Sequence, residues 1–257
     1  MDGYLIKKIK KLIINAGDIA IKTRQNNLKV EWKQDNTPVT NADKEISLFI
    51  FNALSILTPD IPVICEEREC ISIDKNKKFW LIDPIDGTRS FIDGRDSFTI
   101  NIALIDNQVA SFGFIYQPTT KMLYFTDENK KFVIEKNQDI IEPNVHNENE
   151  FIAVVSSHHF NQKTKDYLKN NGISKIISMP SSLKLCMIAE GVADIYPKFG
   201  TTMEWDIAAG HALINANGGK LSIHSGEEML YGKDHFENSN FIAISRNIAS
   251  SINTLII

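Results

Sequence analysis

The sequence is poor in cysteine, has no block of basic residues and contains no long apolar run. Its three cysteines, Cys65, Cys70 and Cys186, show neither disulfide-framework nor metal-ligand spacing, so we expect thiols in a reducing compartment. No segment approaches the roughly 20 apolar residues that cross a bilayer, which predicts no membrane-spanning helix. These absences argue against a small disulfide-stapled domain and against an integral helical membrane protein.

Positive and negative charges are nearly balanced along the chain. The 28 basic and 32 acidic side chains give a formal net charge of −4, without the basic cluster that grips a nucleic-acid backbone. We therefore expect no nucleic-acid partner. The first residues mix lysines with apolar side chains, unlike a signal peptide, which predicts a cytoplasmic protein. Peripheral contact of this basic amphipathic segment with an inner membrane stays open, as do a monomer and a homodimer.

Apolar residues make up 43% of the 257 residues, enough to build one large domain or two ordinary ones. Their helical spacing predicts a first helix through residues 5–20 and a second through residues 46–57. The polar residues 34–40 are predicted to form a loop between them. Thr40 is the predicted N-cap of the second helix, with Asp43 three residues further on.

Short β-rich runs follow, joined by brief connections that predict antiparallel neighbours. They lie at residues 63–65, 79–82, 98–105, 109–116, 122–125 and 132–135. After a polar connection at residues 142–150, strands and helices alternate, which predicts a mixed α/β layer. We expect an N-terminal α+β domain at residues 1–145, with an antiparallel sheet and most of the functional carboxylates. A C-terminal α/β domain is expected at residues 146–257.

An acidic motif follows one of the predicted strands. The run Asp83-Pro-Ile-Asp86-Gly87-Thr88 places two carboxylates at the end of an apolar strand, where burial is unfavourable unless a cation neutralises them. Pro84 stiffens the turn so that both carboxylates converge. The backbone N–H groups of Gly87 and Thr88 are candidates for binding a phosphate oxygen. Asp-Pro and Asp-Gly pairs are also common in ordinary turns, so a purely structural turn stays open.

Two other acidic elements lie elsewhere in the sequence. Glu66 and Glu67 follow the strand at residues 63–65, and Asp206 lies in a Trp-Asp-Ile-Ala-Ala-Gly run at the predicted start of a helix. Each has an ordinary explanation, as solvated charge at a strand end or as an aspartate in the first turn of a helix. The small residues after Asp206 permit this helix end to pack closely against neighbouring backbone.

Together these motifs resemble the lithium-sensitive, magnesium-dependent phosphatase superfamily of inositol monophosphatases, fructose bisphosphatases and bisphosphate nucleotidases. The resemblance rests on the Asp-Pro-Ile-Asp-Gly-Thr run, the Trp-Asp-Ile-Ala-Ala-Gly run about 120 residues later, and the upstream Glu-Glu pair. It covers nearly the whole chain, from Asn15-Ala-Gly-Asp18 to Gly218-Gly219. It implies a fold that is α+β and α/β, a layered αβαβα sandwich of the inositol monophosphatase and fructose bisphosphatase type.

The resemblance also implies a metal-dependent mechanism. About two or three Mg²⁺ ions per site would be held by oxygen ligands, which this hard cation prefers. The implied ligands are Glu66, Asp83, the Ile85 carbonyl, Asp86 and Asp206. Thr88, hydrogen-bonded to Asp43, would orient a metal-activated water for in-line displacement. The implied catalytic residues are therefore Asp43, Glu66 and Thr88.

Within the superfamily, the second half of the chain is most similar to the CysQ-type 3′(2′),5′-bisphosphate nucleotidases. The similarity is carried by the runs Ser181-Ser-Leu-Lys184-Leu-Cys186, Ala189-Glu-Gly191 and Tyr196-Pro-Lys198-Phe-Gly200. Inositol monophosphatases do not carry the Ser-Ser-x-Lys run in this form. The implied substrate-binding residues are Gly87, Thr88, His159, Ser181, Lys184, Lys198 and Asp206.

Two positions depart from the pattern of those nucleotidases. Lys198 stands where they usually have arginine, and Ser157 replaces the arginine of their Ser-Arg-Ser-His segment. A lysine keeps the charge but lacks the planar fork that binds phosphate through two hydrogen bonds. Without the resemblance, Lys184 and Lys198 would pass equally well as surface charges.

The implied activity is Mg²⁺-dependent hydrolysis of 3′-phosphoadenosine 5′-phosphate to AMP and phosphate, with a small phosphorylated nucleotide as the partner. Hydrolysis of inositol monophosphate or of a sugar bisphosphate stays open as an alternative with the same chemistry. A nucleotide or metal sensor without turnover is a third hypothesis, against which the complete set of acidic ligands argues.

Overall fold

The computed structural model describes residues 1–33, 35–69, 71–146, 151–158 and 160–249. The helices in these ranges are α1 (Gly3–Asn26), α2 (Asn41–Leu57), α3 (Thr88–Ile92), α4 (Gln162–Asn170), α5 (Leu183–Glu190), α6 (Glu204–Ala216) and α7 (Arg246–Ala249). The strands are β1 (Val30–Trp32), β2 (Pro38–Thr40), β3 (Val63–Cys65), β4 (Phe79–Asp86), β5 (Thr99–Asp106), β6 (Val109–Gln117), β7 (Met122–Thr126), β8 (Phe132–Lys136), β9 (Asp139–Ile141), β10 (Ile152–Ser156), β11 (Lys175–Met179), β12 (Ile195–Lys198), β13 (Lys220–Ile223) and β14 (Phe241–Ile244).

The first half of the chain forms a seven-stranded sheet in the sequential order β3-β4-β5-β6-β7-β8-β9. Strands β4 to β9 pair in antiparallel fashion, as the short connections predicted, whereas β3 and β4 are parallel. The second half forms a five-stranded mixed sheet in the order β11-β10-β12-β14-β13. The alternation of strands and helices in this half is therefore confirmed.

Alternating side chains divide the seven-stranded sheet into two buried faces. Trp80 and Ile82 pack with α1 and α2 on one face, whereas Phe79 and Leu81 pack with α5 and α6 on the other. The five-stranded sheet covers the far side of α5 and α6, and α4 and α7 pack on its outer face. The layers are thus helix, sheet, helix, sheet, helix, which confirms the predicted αβαβα sandwich.

Helix α6 lies between the two sheets and is buried over most of its surface. A helix that is apolar all round suits such a position. A Cβ atom at Gly113 of β6 would lie 2.1 Å from the Ala209 carbonyl oxygen, and one at Gly210 would lie 2.4 Å from the Leu185 Cβ. Small residues therefore let α6 approach the sheet and α5 closely, as its sequence predicted.

The prediction of a loop at residues 34–40 was wrong at its end. Pro38–Thr40 forms β2, which pairs with β1 in an antiparallel ribbon. Val30, Glu31 and Trp32 of β1 alternate apolar and polar side chains, as in a half-buried strand, although all three residues are exposed. The capping box at the start of α2 is confirmed, because Thr40 and Asp43 exchange the two expected hydrogen bonds.

The core between the two sheets draws side chains from both halves of the chain. The division into domains at residues 145 and 146 stays a prediction. Cys65 and Cys186 are buried free thiols, as expected, and Cys70 lies outside the described residues. Across the ranges that the structure describes, no helix has both the length and the apolar character needed to cross a membrane.

Candidate active site

A cavity of about 540 Å³ opens where β4 ends beside the N-termini of α5 and α6. The predicted metal and substrate residues that line it are Glu66, Asp83, Ile85, Asp86, Gly87, Thr88, Ser181, Lys184, Lys198 and Asp206. His159, the remaining predicted substrate residue, lies outside the described residues. The fold therefore gathers residues from distant parts of the sequence around one cavity, while their individual roles stay predictions.

The end of β4 directs two carboxylates toward this cavity. Asp83 pairs with Asn101 and Asp86 with Thr99 across the β4–β5 ladder, and a bulge separates the two pairs. Gly87 then reverses the backbone with a φ of 89° and precedes α3, the helical turn expected at this point. A Cβ atom on Gly87 would lie 3.1 Å from the Ser97 carbonyl oxygen, so a larger residue would disturb this turn.

The acidic residues around the cavity interact electrostatically. Burial raises the pKa of Asp83 well above its ordinary value, and the nearby Glu66 and Asp86 carboxylates raise it further. Burial and Asp86 likewise raise the pKa of Asp206. The Asp83 Oδ1 atom has no hydrogen-bond partner among the described residues. A buried carboxylate oxygen without a partner, surrounded by like charges, favours a bound cation.

The donor set fits Mg²⁺ in chemistry, because each predicted ligand offers oxygen. Among the described residues, however, no group of three or more His, Cys, Asp and Glu side chains is arranged so that it could hold a metal ion. Glu66 Oε1 pairs with Lys33 Nζ at 3.0 Å. Asp206 Oδ2 accepts the Met203 N–H at 2.8 Å, and the Ile85 carbonyl accepts the Thr88 hydroxyl at 3.0 Å. The predicted ligands therefore adjoin the cavity without forming a coordination shell.

Asp43 lies behind the cavity wall and is connected to it through Thr88. The Thr88 hydroxyl is 3.5 Å from Asp43 Oδ1, at the outer limit of a hydrogen bond, while Asp43 Oδ2 accepts the Thr40 N–H at 2.8 Å. Burial raises the pKa of Asp43 from 3.8 to about 7, although the hydrogen bonds from Thr40 lower it. Asp43 is thus placed both to cap α2 and to accept a proton through Thr88.

Two lysines also line the cavity. Lys184 and Lys198 are each only 7% exposed, so the alternative that they are ordinary surface charges is wrong. Lys184 Nζ donates to the Ser181 carbonyl, and burial lowers the pKa of Lys184 to about 8 although Asp86 raises it. Burial also lowers the pKa of Lys198. Buried cations facing a cavity are well placed to bind an anionic group.

Sequence reasoning missed several residues that line the cavity. The β1–β2 hairpin contributes Lys33 and Thr37, and the second half of the chain contributes Tyr196 and Trp205. His158 is exposed and also lines the cavity, although only its neighbour His159 was predicted to bind substrate. Two adjacent histidines gave no signal to choose between them.

Comparisons with known proteins agree with this geometry. Residues 4–256 match the model of the inositol monophosphatase family. The chain is 39% identical to the 3′(2′),5′-bisphosphate nucleotidase CysQ of Buchnera aphidicola, over 93% of each protein, and 35% identical to CysQ of Escherichia coli, over 92% of this chain and 98% of that protein. The crystal structure of CysQ from Bacteroides thetaiotaomicron superposes with a TM-score of 0.78 at 32% identity, covering 91% of this chain and 94% of that one. The chain therefore belongs to the inositol monophosphatase family.

Proposed function

We propose that the chain is a 3′(2′),5′-bisphosphate nucleotidase that hydrolyses the 3′-phosphate of 3′-phosphoadenosine 5′-phosphate, giving AMP and phosphate. Members of its family are metal-dependent phosphatases. Relatives that share 35–39% of their residues with this chain, over nearly their full length, are named for this nucleotidase activity. We further propose that the metal is Mg²⁺, bound as two or three ions.

The carrying observation is that the predicted metal ligands and two buried lysines line one cavity. Glu66, Asp83, Asp86 and Asp206 line it together with Lys184 and Lys198, and Lys184 interacts electrostatically with Asp86 and Asp206. A substrate with two phosphates matches this lining, because bound metal ions can neutralise the carboxylates and one phosphate while the other phosphate binds the lysines. A substrate with one phosphate would use only one of these two groups of charges.

The chain's own residues would prepare the substrate for an in-line attack. Bound divalent cations would supply the positive charge that lowers the pKa of a water molecule and neutralises the phosphate. Gly87 and Thr88 line the cavity at the start of α3, and their N–H groups would orient the phosphate oxygens. Thr88 would position the attacking water and pass a proton to Asp43 once its hydroxyl turns from the Ile85 carbonyl toward that carboxylate.

The two lysines would determine the position of the second phosphate. Lys184 Nζ is held near the Ser181 carbonyl and lies 5.5 Å from the centre of the Tyr196 ring, which limits its freedom. Lys198 provides a second positive charge on the neighbouring strand β12. Each lysine binds phosphate as a point charge and not through a bidentate fork, so the two separate charges together would locate the phosphate.

The test is phosphate release by the purified protein from three substrates at saturating Mg²⁺. We expect 3′-phosphoadenosine 5′-phosphate to be hydrolysed with a kcat/KM at least about tenfold higher than inositol 1-phosphate or fructose 1,6-bisphosphate, a difference of about 1.4 kcal/mol in transition-state binding. Preference for either competitor would replace the nucleotidase assignment. Tight nucleotide binding without product, measured by calorimetry, would instead support the sensor hypothesis.

A further inference from the structure

A buried polar network lies beside the end of β4, and the roles discussed so far do not explain it. Asn101, Thr99 and Ser182 are at most 2% exposed. The Ser182 hydroxyl donates to Asn101 Oδ1 at 2.8 Å, and Thr99 Oγ1 lies 2.7 Å from Ser182 Oγ. Asn101 Nδ2 is buried and has no hydrogen-bond partner among the described residues. An orphaned amide N–H in the core is costly unless another group accepts it.

Strand geometry shows where this amide lies. Asn101 is directly opposite Asp83 in the β4–β5 ladder, and Thr99 is opposite Asp86. Residues paired in this way project from the same face of the sheet. Ala103, two residues after Asn101, belongs to the core between the sheet and α6, so this is the face toward Asp206. The network therefore shares its face of the sheet with the predicted metal ligands.

The hydrogen bonds set the direction of the network. The Ser182 hydroxyl donates its single proton to Asn101 Oδ1, so Thr99 is the donor in its hydrogen bond with Ser182. With its oxygen held by Ser182, the Asn101 amide keeps its NH₂ group, unpaired among the described residues, on the face of the sheet that carries Asp83 and Asp86.

The opposite orientation of the amide is unfavourable. It would place the Asn101 oxygen, a further acceptor, on the face of the sheet that carries the buried carboxylates of Asp83 and Asp86. The orientation with the NH₂ group on that face supplies a donor that stabilises a carboxylate.

We propose that the Thr99–Ser182–Asn101 network is a positioning device that holds the Asp83 and Asp86 carboxylates of β4 ready for metal binding and ties them to the start of α5. Ser182 lies between Ser181 and Lys184 at the start of α5, whereas Thr99 and Asn101 belong to β5. The network thus joins the segment that would bind the second phosphate to the strand that pairs with the metal ligands. The identity of the cation rests on the proposed function, whereas the inference concerns how tightly the protein binds that cation.

Two substitutions test the network, each with a matched control. Asn101→Leu removes the amide at similar volume, and Thr99→Val removes the hydroxyl that orients Ser182. Thr99→Ser keeps a hydroxyl and serves as the conservative rescue. Thr126→Val is the control, because it removes another buried threonine hydroxyl in the same sheet. That hydroxyl accepts the Gly113 N–H at 3.1 Å and is not part of the network.

The readouts are Mg²⁺ binding to the substrate-free protein by calorimetry, Mn²⁺ binding by electron paramagnetic resonance, and kcat and KM at saturating Mg²⁺. We expect Asn101→Leu to weaken cation binding about tenfold or more and Thr99→Val several-fold, as for other residues that orient metal ligands. Thr99→Ser and Thr126→Val should stay within about twofold of wild type. The KM measured at saturating Mg²⁺ should change little in all four variants.

Unchanged cation affinity in folded Asn101→Leu and Thr99→Val would overturn the inference, as would an equal loss in Thr126→Val, which would indicate a general loss of stability. A raised KM with unchanged cation affinity would also overturn it. If Asn101→Leu does not fold, the comparison of Thr99→Val with Thr99→Ser decides. Wild-type protein that binds Mg²⁺ but hydrolyses no phosphate ester would refute the proposed function alone, because the affinity comparison would still stand.

Discussion

Two acidic residues of this site have both a structural role, in capping a helix, and a predicted chemical role. Asp43 closes the capping box of α2 through Thr40 and also faces Thr88 across the cavity wall. Asp206 accepts the Met203 N–H in the first turn of α6 and lines the cavity. Capping therefore does not exclude a role in the site. Substitutions that preserve the cap can separate the two roles.

Asp43→Asn is the sharpest such substitution, because it keeps the shape and loses the charge. We expect turnover to fall by about a hundredfold or more, since general-base assistance contributes factors of this size, while the protein stays folded. Asp43→Ala serves as the control for the cap, whose loss costs about 1 kcal/mol. Unchanged turnover in well-folded Asp43→Asn would remove Asp43 from the mechanism.

The same substitution predicts a pH dependence of stability. Because the pKa of Asp43 is about 7 in the folded protein and 3.8 ordinarily, the folded state holds a proton that the unfolded state has already released between these values. Ionisation of Asp43 therefore destabilises the fold as the pH rises from about 4 to 7. The free energy of unfolding of Asp43→Asn, relative to wild type, should increase over this range by on the order of 1 kcal/mol per pH unit. Urea titrations of the metal-free proteins would measure this difference in the free energy of unfolding. Parallel pH profiles for Asp43→Asn and wild type would contradict the prediction.

At the scale of elements, the start of α6 decides where Asp206 lies. Glu204 is fully buried and accepts the N–H groups of Gly232 at 2.8 Å and Lys233 at 3.0 Å, and its Oε1 also pairs with Lys233 Nζ at 2.7 Å. Asn238 Nδ2 donates to the Met203 carbonyl at 2.7 Å. The loop between β13 and β14 thus fixes the end of the helix that carries one of the predicted metal ligands.

Glu204→Gln should therefore destabilise the protein. The amide would place an NH₂ donor among groups that are all donors and would remove the ion pair with Lys233, so we expect the free energy of unfolding to fall by about 2 kcal/mol. Glu227→Gln, at an exposed carboxylate that accepts from Ser225 Oγ, is the matched control and should change it by less than about 0.5 kcal/mol. Equal urea midpoints for the two variants would show that Glu204 does not anchor the helix.

The sequence predicted the elements of this fold best where apolar periodicity is strong. The N-cap of α2 and the central strands of the large sheet are confirmed because their spacing reports burial directly. The ribbon of β1 and β2 was missed because each of its strands has only three residues, although Val30, Glu31 and Trp32 alternate in polarity. Helix α6 begins at Glu204 rather than Asp206, since the anchoring partners of Glu204 lie about 30 residues away in the sequence.

At the scale of the whole molecule, the layered fold explains how the cavity is assembled. The acidic motif lies at the C-terminal end of β4, an inner strand of the larger sheet. Helices α5 and α6 lie between the two sheets and bring Lys184 and Asp206 to the same cavity. The family resemblance predicted this convergence from motifs. The pairing of Glu66 with Lys33 and the network at Asn101 could not be predicted, because they depend on side-chain contacts between segments without a shared pattern.

The most direct test of the account is a structure from crystals of the protein grown with Mn²⁺. This ion can replace Mg²⁺, and its anomalous scattering shows where it binds. We expect anomalous peaks in the cavity within about 2.0–2.4 Å of carboxylate oxygens of Asp83, Asp86, Asp206 and Glu66. A map without peaks between these side chains, or with manganese bound only elsewhere on the protein, would contradict the claim that they form a metal-dependent phosphatase site.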